Sequence, residues 1–219
     1  VPARVDLDAW RVCDAVGAVL LDEAGVDDGT LVDLYLHGDL EERIIVLRAL
    51  GLRPVTDGTV RLLEEAQRTN MESHFKAAAC DSNLPLRATA HAEFGSEGFR
   101  RMILKAAFLG LPEERLLDVD QGADEELSRM LQDLATEREA AGRAIWPGTS
   151  LLIAHAPTAG SVARVVGGLE HGDDRLRHAA ARGLLRLNRR DLEPFAAERL
   201  PREPRQAIRE LLERAIRPD

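Results

Sequence analysis

Apolar residues recur at three- and four-residue spacing along almost the whole chain, and no stretch shows the sustained alternation typical of a β-strand. An α-helix turns once in 3.6 residues, so this spacing places the apolar side chains on one helix face. Glycines and prolines fall at the ends of the periodic stretches, where helices stop and start. The periodicity predicts an all-α fold with helices at 5–24, 28–37, 39–52, 57–80, 97–110, 113–118, 124–145, 160–170, 174–187, 191–199 and 203–217.

A weak internal repeat indicates how these helices are arranged. The segments Gly38–Arg43 and Gly172–Arg177 both begin Gly-Asp, carry an arginine four residues after the aspartate, and open a helix. Helix pairs that cannot bury their own apolar faces stack in this way in HEAT-type repeats. We therefore expect a single all-helical domain over residues 1–219, a helical-hairpin array that forms either a HEAT-like α-solenoid or an irregular helical bundle, with HEAT-like helices at 158–219.

The charge of the chain excludes several classes of partner. Against 38 acidic residues stand 29 lysines and arginines, a net charge of −9, whereas binding to a polyanion requires a positive surface. We expect no nucleic-acid partner. No apolar run reaches the ~20 residues of a membrane span, so we expect none. Residues 1–10 do not resemble a secretion signal and the two cysteines are far apart, which indicates a cytoplasmic protein with free thiols.

The segment 68–143 differs in composition from the rest of the chain, since it contains both lysines and four of the five phenylalanines. In the predicted helix 57–80, Asn70 and His74 fall on the apolar face. A buried amide or imidazole without a hydrogen bond costs about 1–3 kcal/mol. These two side chains are therefore either satisfied by neighbours in the core or directed into a pocket.

Lys105 is the one cation in the apolar centre of predicted helix 97–110, in a chain where 27 of the 29 basic residues are arginines. A lysine at such a position indicates a need for a compact ammonium whose pKa can shift, which a guanidinium cannot provide. Alternatively, its stem lies along apolar surface and its ammonium reaches water.

Arg138 occupies a core-like position in predicted helix 124–145, with Asp133 and Glu137 beside it. A carboxylate of this group could pair with Lys105 while Arg138 holds an anion. The same residues could instead form a buried structural ion pair between helices. Either arrangement requires the predicted helices to pack together.

Recognisable catalytic or cofactor motifs are absent from the sequence. It contains no nucleophile elbow, phosphate-binding loop, dinucleotide fingerprint or paired-histidine zinc motif. His171, Asp174 and His178 resemble a metal cluster, but two helical ligands do not complete a site. We therefore expect no cofactor and no metal.

Six short segments, in order and at the right spacing, resemble the EboA-domain family. They are Arg68-Thr-Asn70, Phe75-Lys-Ala-Ala-Ala79, Asn83-Leu-Pro85, Met102-Ile-Leu-Lys-Ala-Ala-Phe108, Leu127-Ser-Arg-Met-Leu-Gln-Asp133 and Glu137-Arg-Glu-Ala-Ala-Gly-Arg143. The resemblance implies a bacterial helical protein encoded in gene clusters that make or export a secondary metabolite. It implies a context and no particular reaction.

Two hypotheses follow. The first is a non-catalytic helical module that binds a partner protein or a polar or anionic metabolite intermediate in a bacterial secondary-metabolite biosynthesis or export pathway. Its candidate ligand-binding residues are Arg68, Asn70, Lys105, Arg138 and Arg143.

The second hypothesis is a small-metabolite enzyme that uses acid–base or lysine chemistry in a pocket around Lys105, Glu137 and Arg138. Its candidate catalytic residues are His74, Lys105, Asp133 and Glu137. The sequence does not indicate the oligomeric state.

Overall fold

The computed structural model describes residues 1–216, and this part of the chain is helical without a β-strand, which confirms the all-α prediction. The choice between a solenoid and a bundle stays a prediction. The α-helices are α1 (Val12–Glu23), α2 (Asp28–His37), α3 (Leu40–Ala49), α4 (Asp57–Arg68), α5 (Glu72–Ala79), α6 (Leu84–Ala88), α7 (Gly95–Leu109), α8 (Glu125–Ala140), α9 (Gly148–His155), α10 (Ser161–Gly168), α11 (Asp174–Leu187), α12 (Glu193–Arg199) and α13 (Gln206–Ile216). Short 3-10 helices lie at Leu7–Ala9, Glu113–Arg115, Val119–Gly122, Arg190–Leu192 and Leu200–Arg202.

The chain divides into two compact units. The first is formed by Val1–Leu109 with Glu113–Gly122 and contains α1 to α7. The second is formed by Gly110–Pro112 with the chain from Ala123 onward and contains α8 to α13. The expected single domain and the HEAT-like arrangement of 158–219 stay predictions.

In the first unit, α3 packs against α1, α2 and α5, and α4 packs against α2 and α7. Leu47, Leu62 and Phe75 are fully buried at the centre of this unit. Each contributes about 1.5–3 kcal/mol by leaving water. Gly17 lets α1 approach α3 closely, because a Cβ at that position would clash with the side chain of Ile45.

The loop between α5 and α6 is held by a buried carboxylate. Asp81 is 1% exposed and adopts a left-handed backbone with φ of 60°. Its carboxylate accepts hydrogen bonds from Arg115 Nε at 2.9 Å and Arg48 Nη1 at 2.6 Å. Burial alone would raise the pKa of Asp81, but the hydrogen bonds from the two arginines outweigh it and lower that pKa. Nearby, Asn83 holds the N-terminal segment in place, because its Oδ1 accepts a hydrogen bond from the backbone N–H of Arg4 at 2.9 Å.

The Gly-Asp repeat corresponds to one local motif that occurs once in each unit. Asp39 and Asp173 are the N-caps of α3 and α11, and each accepts hydrogen bonds from the first turn of its helix. Four residues later, Arg43 and Arg177 donate to the carbonyl of the glycine that precedes the aspartate, at 2.9 and 3.0 Å respectively. The motif therefore orients the loop that enters each helix.

The prediction of one helix over 57–80 is wrong. α4 ends at Arg68 and α5 begins at Glu72. Between them Thr69 is extended, with ψ of 143°, and its hydroxyl accepts a hydrogen bond from the N–H of Met71 at 3.1 Å. A threonine side chain that bonds to nearby backbone competes with the helix. The break separates the apolar faces of the two halves.

In the second unit, α8, α10 and α11 all pack on α9. Leu152, Ile153 and Ala154 of α9 are buried among them. α11 crosses close to α9 at Gly183, where a Cβ would lie 2.7 Å from the carbonyl oxygen of Ser150. The first half of α9 is polar, and this half forms the floor of a groove.

A buried ion pair joins α11 to the loop before α13. Glu203 is 3% exposed and accepts hydrogen bonds from Arg177 Nε at 2.9 Å and Arg199 Nη2 at 2.8 Å. Burial alone would raise the pKa of Glu203, but these two guanidinium groups and the N–H of Arg205 lower it from 4.5 to about 2. This carboxylate is thus held ionised inside the protein.

Candidate functional site

Lys105 lies in the first unit and binds the carbonyl groups at the end of α4. Its ammonium donates hydrogen bonds to the carbonyl oxygens of Gln67 and Thr69, the latter at 2.6 Å, and lies 4.8 Å from the centre of the Phe75 ring. The final carbonyls of a helix have no partner within it and carry partial negative charge, so a cation there stabilises the helix. Burial lowers the pKa of Lys105. Its contacts are those of a structural residue.

His74 is buried on α5, at 1% exposure, as the apolar pattern predicts. Its ring meets the ring of Tyr35 edge to face, with the centres 6.3 Å apart. Its Nε2 has no hydrogen-bond partner among the described residues. Burial lowers the pKa of His74, so the ring is neutral at pH 7.

The prediction that Asn70 occupies a core position is wrong. Asn70 is exposed, because it lies in the short link between α4 and α5 and not inside a helix. Arg68 is also exposed and pairs with Glu64 at 3.2 Å and Glu65 at 2.8 Å on its own helix. Both residues lie on the surface of the first unit.

The other candidates belong to the second unit. Glu137 and Arg143 are exposed, and Arg138 is half-buried. Arg138 donates from Nη1 to the carbonyl oxygen of Ala144 at 2.9 Å, and its own carbonyl accepts from the N–H of Arg143 at 2.8 Å. Arg138 is thus only partly buried, whereas the apolar pattern predicts a core position. Its guanidinium holds the loop after α8 through the bond to Ala144. That the candidates of both units share one pocket stays a prediction.

A groove of about 700 Å³ lies between α8 and α10 in the second unit. Both helices rest on α9, and small residues on α10 leave the space between them open. Two arginines and two carboxylates line the groove, so its fixed charges balance. The lining includes Arg129, Gln132, Asp133, Thr136, Glu139, Thr149, Ser150, Ala163, Arg164, Gly167 and His171.

Hydrogen bonds between α8 and the α10 region fix the width of the groove. Gln132 donates from Nε2 to the hydroxyl of Thr158 at 2.9 Å, beside the start of α10. Farther along, Arg164 donates to Glu139 Oε1 at 3.1 Å and to the hydroxyl of Thr136 at 2.9 Å. These contacts hold the two walls apart at a set distance.

Three polar side chains that line the groove have no protein partner among the described residues. Thr149 and Ser150 form the floor, are 2% and 9% exposed, and make no side-chain hydrogen bond within residues 1–216. Asp133, on the α8 wall, likewise has no ion pair or side-chain hydrogen bond there. Asp133 is exposed, whereas Thr149 and Ser150 belong to the buried residues. The two hydroxyls are not among the described polar atoms that are both sealed from solvent and unpaired, so they are open to the groove, where a ligand or water can bond to them.

The groove is suited to recognition by hydrogen bonding. His171 accepts at Nδ1 from the N–H of Asp173 at 3.0 Å, so the neutral ring carries its proton on Nε2. No group of three histidines, cysteines or acidic residues in the described chain could hold a metal ion. Glu137 and Lys105 do not line the groove.

Of the candidate catalytic and ligand-binding residues named from the sequence, only Asp133 lines the groove. His171, considered from the sequence as a metal ligand and set aside, lines it as well. The floor was missed because α9 is short and buried on nearly every side, so it shows no apolar and polar faces. A signal did exist on α10: the small residues Ala163 and Gly167 are four residues apart and therefore lie on one face of the helix. Small residues at that spacing leave one helix face flat.

Comparison with known proteins gives one family. No curated protein and no solved structure matches the chain. No helix among residues 1–216 has the length and apolarity to cross a membrane. The model of the family described as metabolite traffic protein EboA matches residues 9–153, which include α8 and the floor of the groove. Because that match spans more than half of the 219 residues, the chain belongs to the EboA family.

Proposed function

We propose that this chain is a non-catalytic module that binds a small polar metabolite in the groove between α8 and α10, as one step of a bacterial secondary-metabolite biosynthesis or export pathway. The observation that carries the proposal is the set of unpartnered polar groups, Asp133, Thr149 and Ser150, on one side of an open groove. The description of the family as one of metabolite traffic is consistent with binding and release.

The contacts of the candidate catalytic residues also support a binding role. Lys105 uses its ammonium on the end of α4, and Glu137 is exposed outside the groove. Acid–base catalysis needs a base within hydrogen-bond reach of the reacting group, and lysine chemistry needs a free amine. The groove instead offers groups that orient a ligand.

The test is to equilibrate the purified full chain with a metabolite extract of the bacterium that encodes it, and to record native mass spectra over time. We expect one small molecule to be retained at a 1:1 ratio and recovered with unchanged mass. Time-dependent conversion of an extract component that stops in Glu137→Gln or Lys105→Met would contradict the proposal and support the enzyme hypothesis.

A further inference from the structure

We infer that the groove takes an uncharged, polyhydroxylated ligand of the sugar or sugar-alcohol class and discriminates against phosphorylated compounds. This inference rests on the proposed function and narrows the expected polar or anionic ligand to one chemical class. It follows from the groups that remain unpaired in the groove and from those that are already paired.

Both arginines of the groove already have carboxylates within ion-pair distance. Arg164 is bonded to Glu139 at 3.1 Å, and Arg129 lies 3.5 Å from Glu125 and 3.4 Å from Glu126. A phosphate would have to displace these carboxylates or be held beside them. Like charges at close range disfavour binding, and the net charge of −9 adds to this.

The unpaired groups of the groove favour a ligand that donates hydrogen bonds. The carboxylate of Asp133 only accepts, whereas the hydroxyls of Thr149 and Ser150 donate and accept. A hydroxylated ligand can satisfy all three, because each of its hydroxyls also donates and accepts. A phosphate dianion has no proton to give to Asp133.

The opposite wall fits the carbon face of such a ligand. Ala163 and Gly167 of α10 offer only a methyl group and a hydrogen, and a Cβ at Gly167 would meet no atom within 4 Å. Ile145 adds apolar surface on the same groove. A sugar ring has hydroxyls at its edge and C–H groups on its faces, so one side can bond to α8 and α9 while the other contacts α10.

Isothermal titration of the full chain with glucose, mannitol, glucose 6-phosphate and inorganic phosphate tests the inference. We expect glucose or mannitol to bind and both phosphates to bind more weakly. Thr149→Val, which removes a hydroxyl and keeps the shape, should weaken binding of the polyol about tenfold, as should Asp133→Asn. Thr30→Val, on the exposed surface of α2, is the matched control and should change nothing.

Three results would overturn the inference: tighter binding of glucose 6-phosphate than of glucose, no binding of either polyol, or polyol binding that Thr149→Val and Asp133→Asn leave unchanged. Its failure is distinguishable from failure of the proposed function. If the chain retains an anionic metabolite from the extract, the groove still binds a metabolite and only the ligand class is wrong. If nothing is retained, the proposed function itself fails.

Discussion

The ammonium of Lys105 on α7 donates a hydrogen bond to the carbonyl oxygen of Thr69 at the end of α4, at 2.6 Å. A second bond to the carbonyl of Gln67 joins the same ammonium to the last turn of that helix. A guanidinium is planar and wider, so it would not direct its donors at these two carbonyls from the same stem. The position of this rare lysine is thus explained by the break between α4 and α5.

Replacing this ammonium should destabilise the fold. We expect Lys105→Met to lower the free energy of unfolding by about 1–3 kcal/mol, because it leaves the carbonyls at the end of α4 without a partner. Urea denaturation followed by circular dichroism measures the change. Lys76→Met is the matched control: Lys76 pairs with Glu72 on the surface of α5, and such pairs are worth at most about 1 kcal/mol. Equal losses in both variants would contradict the assignment.

His74 should make stability depend on pH above the range of the carboxylates. Burial lowers its pKa below the usual 6.5, so between the two values the unfolded chain binds a proton that the folded chain does not. Stability is therefore full above about pH 6.5 and falls as the pH falls below it. We expect His74→Leu to flatten the curve of unfolding free energy just below about pH 6.5.

The exposed His37 on α2 provides the comparison for this pH dependence. His37→Leu removes an imidazole from the surface instead of the core, so the difference between the two variants isolates the effect of burying the ring. The carboxylates with lowered pKa, such as Glu203, lose their contribution only at lower pH. A His74→Leu curve parallel to that of the unaltered chain would show that His74 is protonated equally in both states.

The buried ion pair at Glu203 should be among the costliest to break. We expect Glu203→Gln to lower the free energy of unfolding by about 3–5 kcal/mol at pH 7, because Arg177 would remain buried without its partner charge. Glu198→Gln, with a side chain 77% exposed, should cost less than about 0.5 kcal/mol.

Acid titration tests the same pair in the unaltered chain. The folded pKa of Glu203 is about 2 and its ordinary value is 4.5. Its contribution is present above pH 4.5 and is lost as the pH falls toward 2. Glu203→Gln should remove that part of the acid sensitivity, and an unchanged acid transition would contradict the ion pair.

The sequence was sufficient to predict the fold class and several helix boundaries. The predicted helix 174–187 coincides with α11, because Asp173 caps it and its apolar face is regular. The helix over 57–80 was wrong because periodicity continues across Thr69, while the break depends on a hydroxyl bond and on a lysine from another helix. Contacts of that kind are tertiary and leave no local pattern.

The candidate site could be predicted only in part. Asp133 was identified from its neighbours on α8, but its unpartnered state depends on where α10 lies. Thr149 and Ser150 were not identified, because a short helix between Pro147 and Pro157 that is buried on most sides resembles a loop. Lys105 stands out in the sequence because it is a rare lysine in an apolar helix. In the structure its ammonium binds the carbonyl oxygens at the end of α4, so its role there is to stabilise the fold.

Two glycines test the shape of the groove independently of any ligand. A Cβ at Gly167 meets open space, whereas a Cβ at Gly183 would lie 2.7 Å from the carbonyl oxygen of Ser150. Gly167→Ala should therefore stabilise α10 by about 0.5–1 kcal/mol through the entropy of the unfolded chain. Gly183→Ala should destabilise the fold. A thermal melt of each variant measures these changes in stability. Loss of stability in Gly167→Ala would mean that the face of α10 carrying Gly167 is packed against other atoms and is not open.

The central claim is that the groove between α8 and α10 is where the metabolite binds. The most direct measurement compares metabolite retention, by native mass spectrometry, in Gly167→Leu and in Ala140→Leu. Leucine at 167 projects into open space in the groove, while Ala140 is exposed at the end of α8 outside it. The account predicts that both variants fold, that Ala140→Leu retains the metabolite and that Gly167→Leu loses it. Equal retention by the two folded variants would contradict the claim.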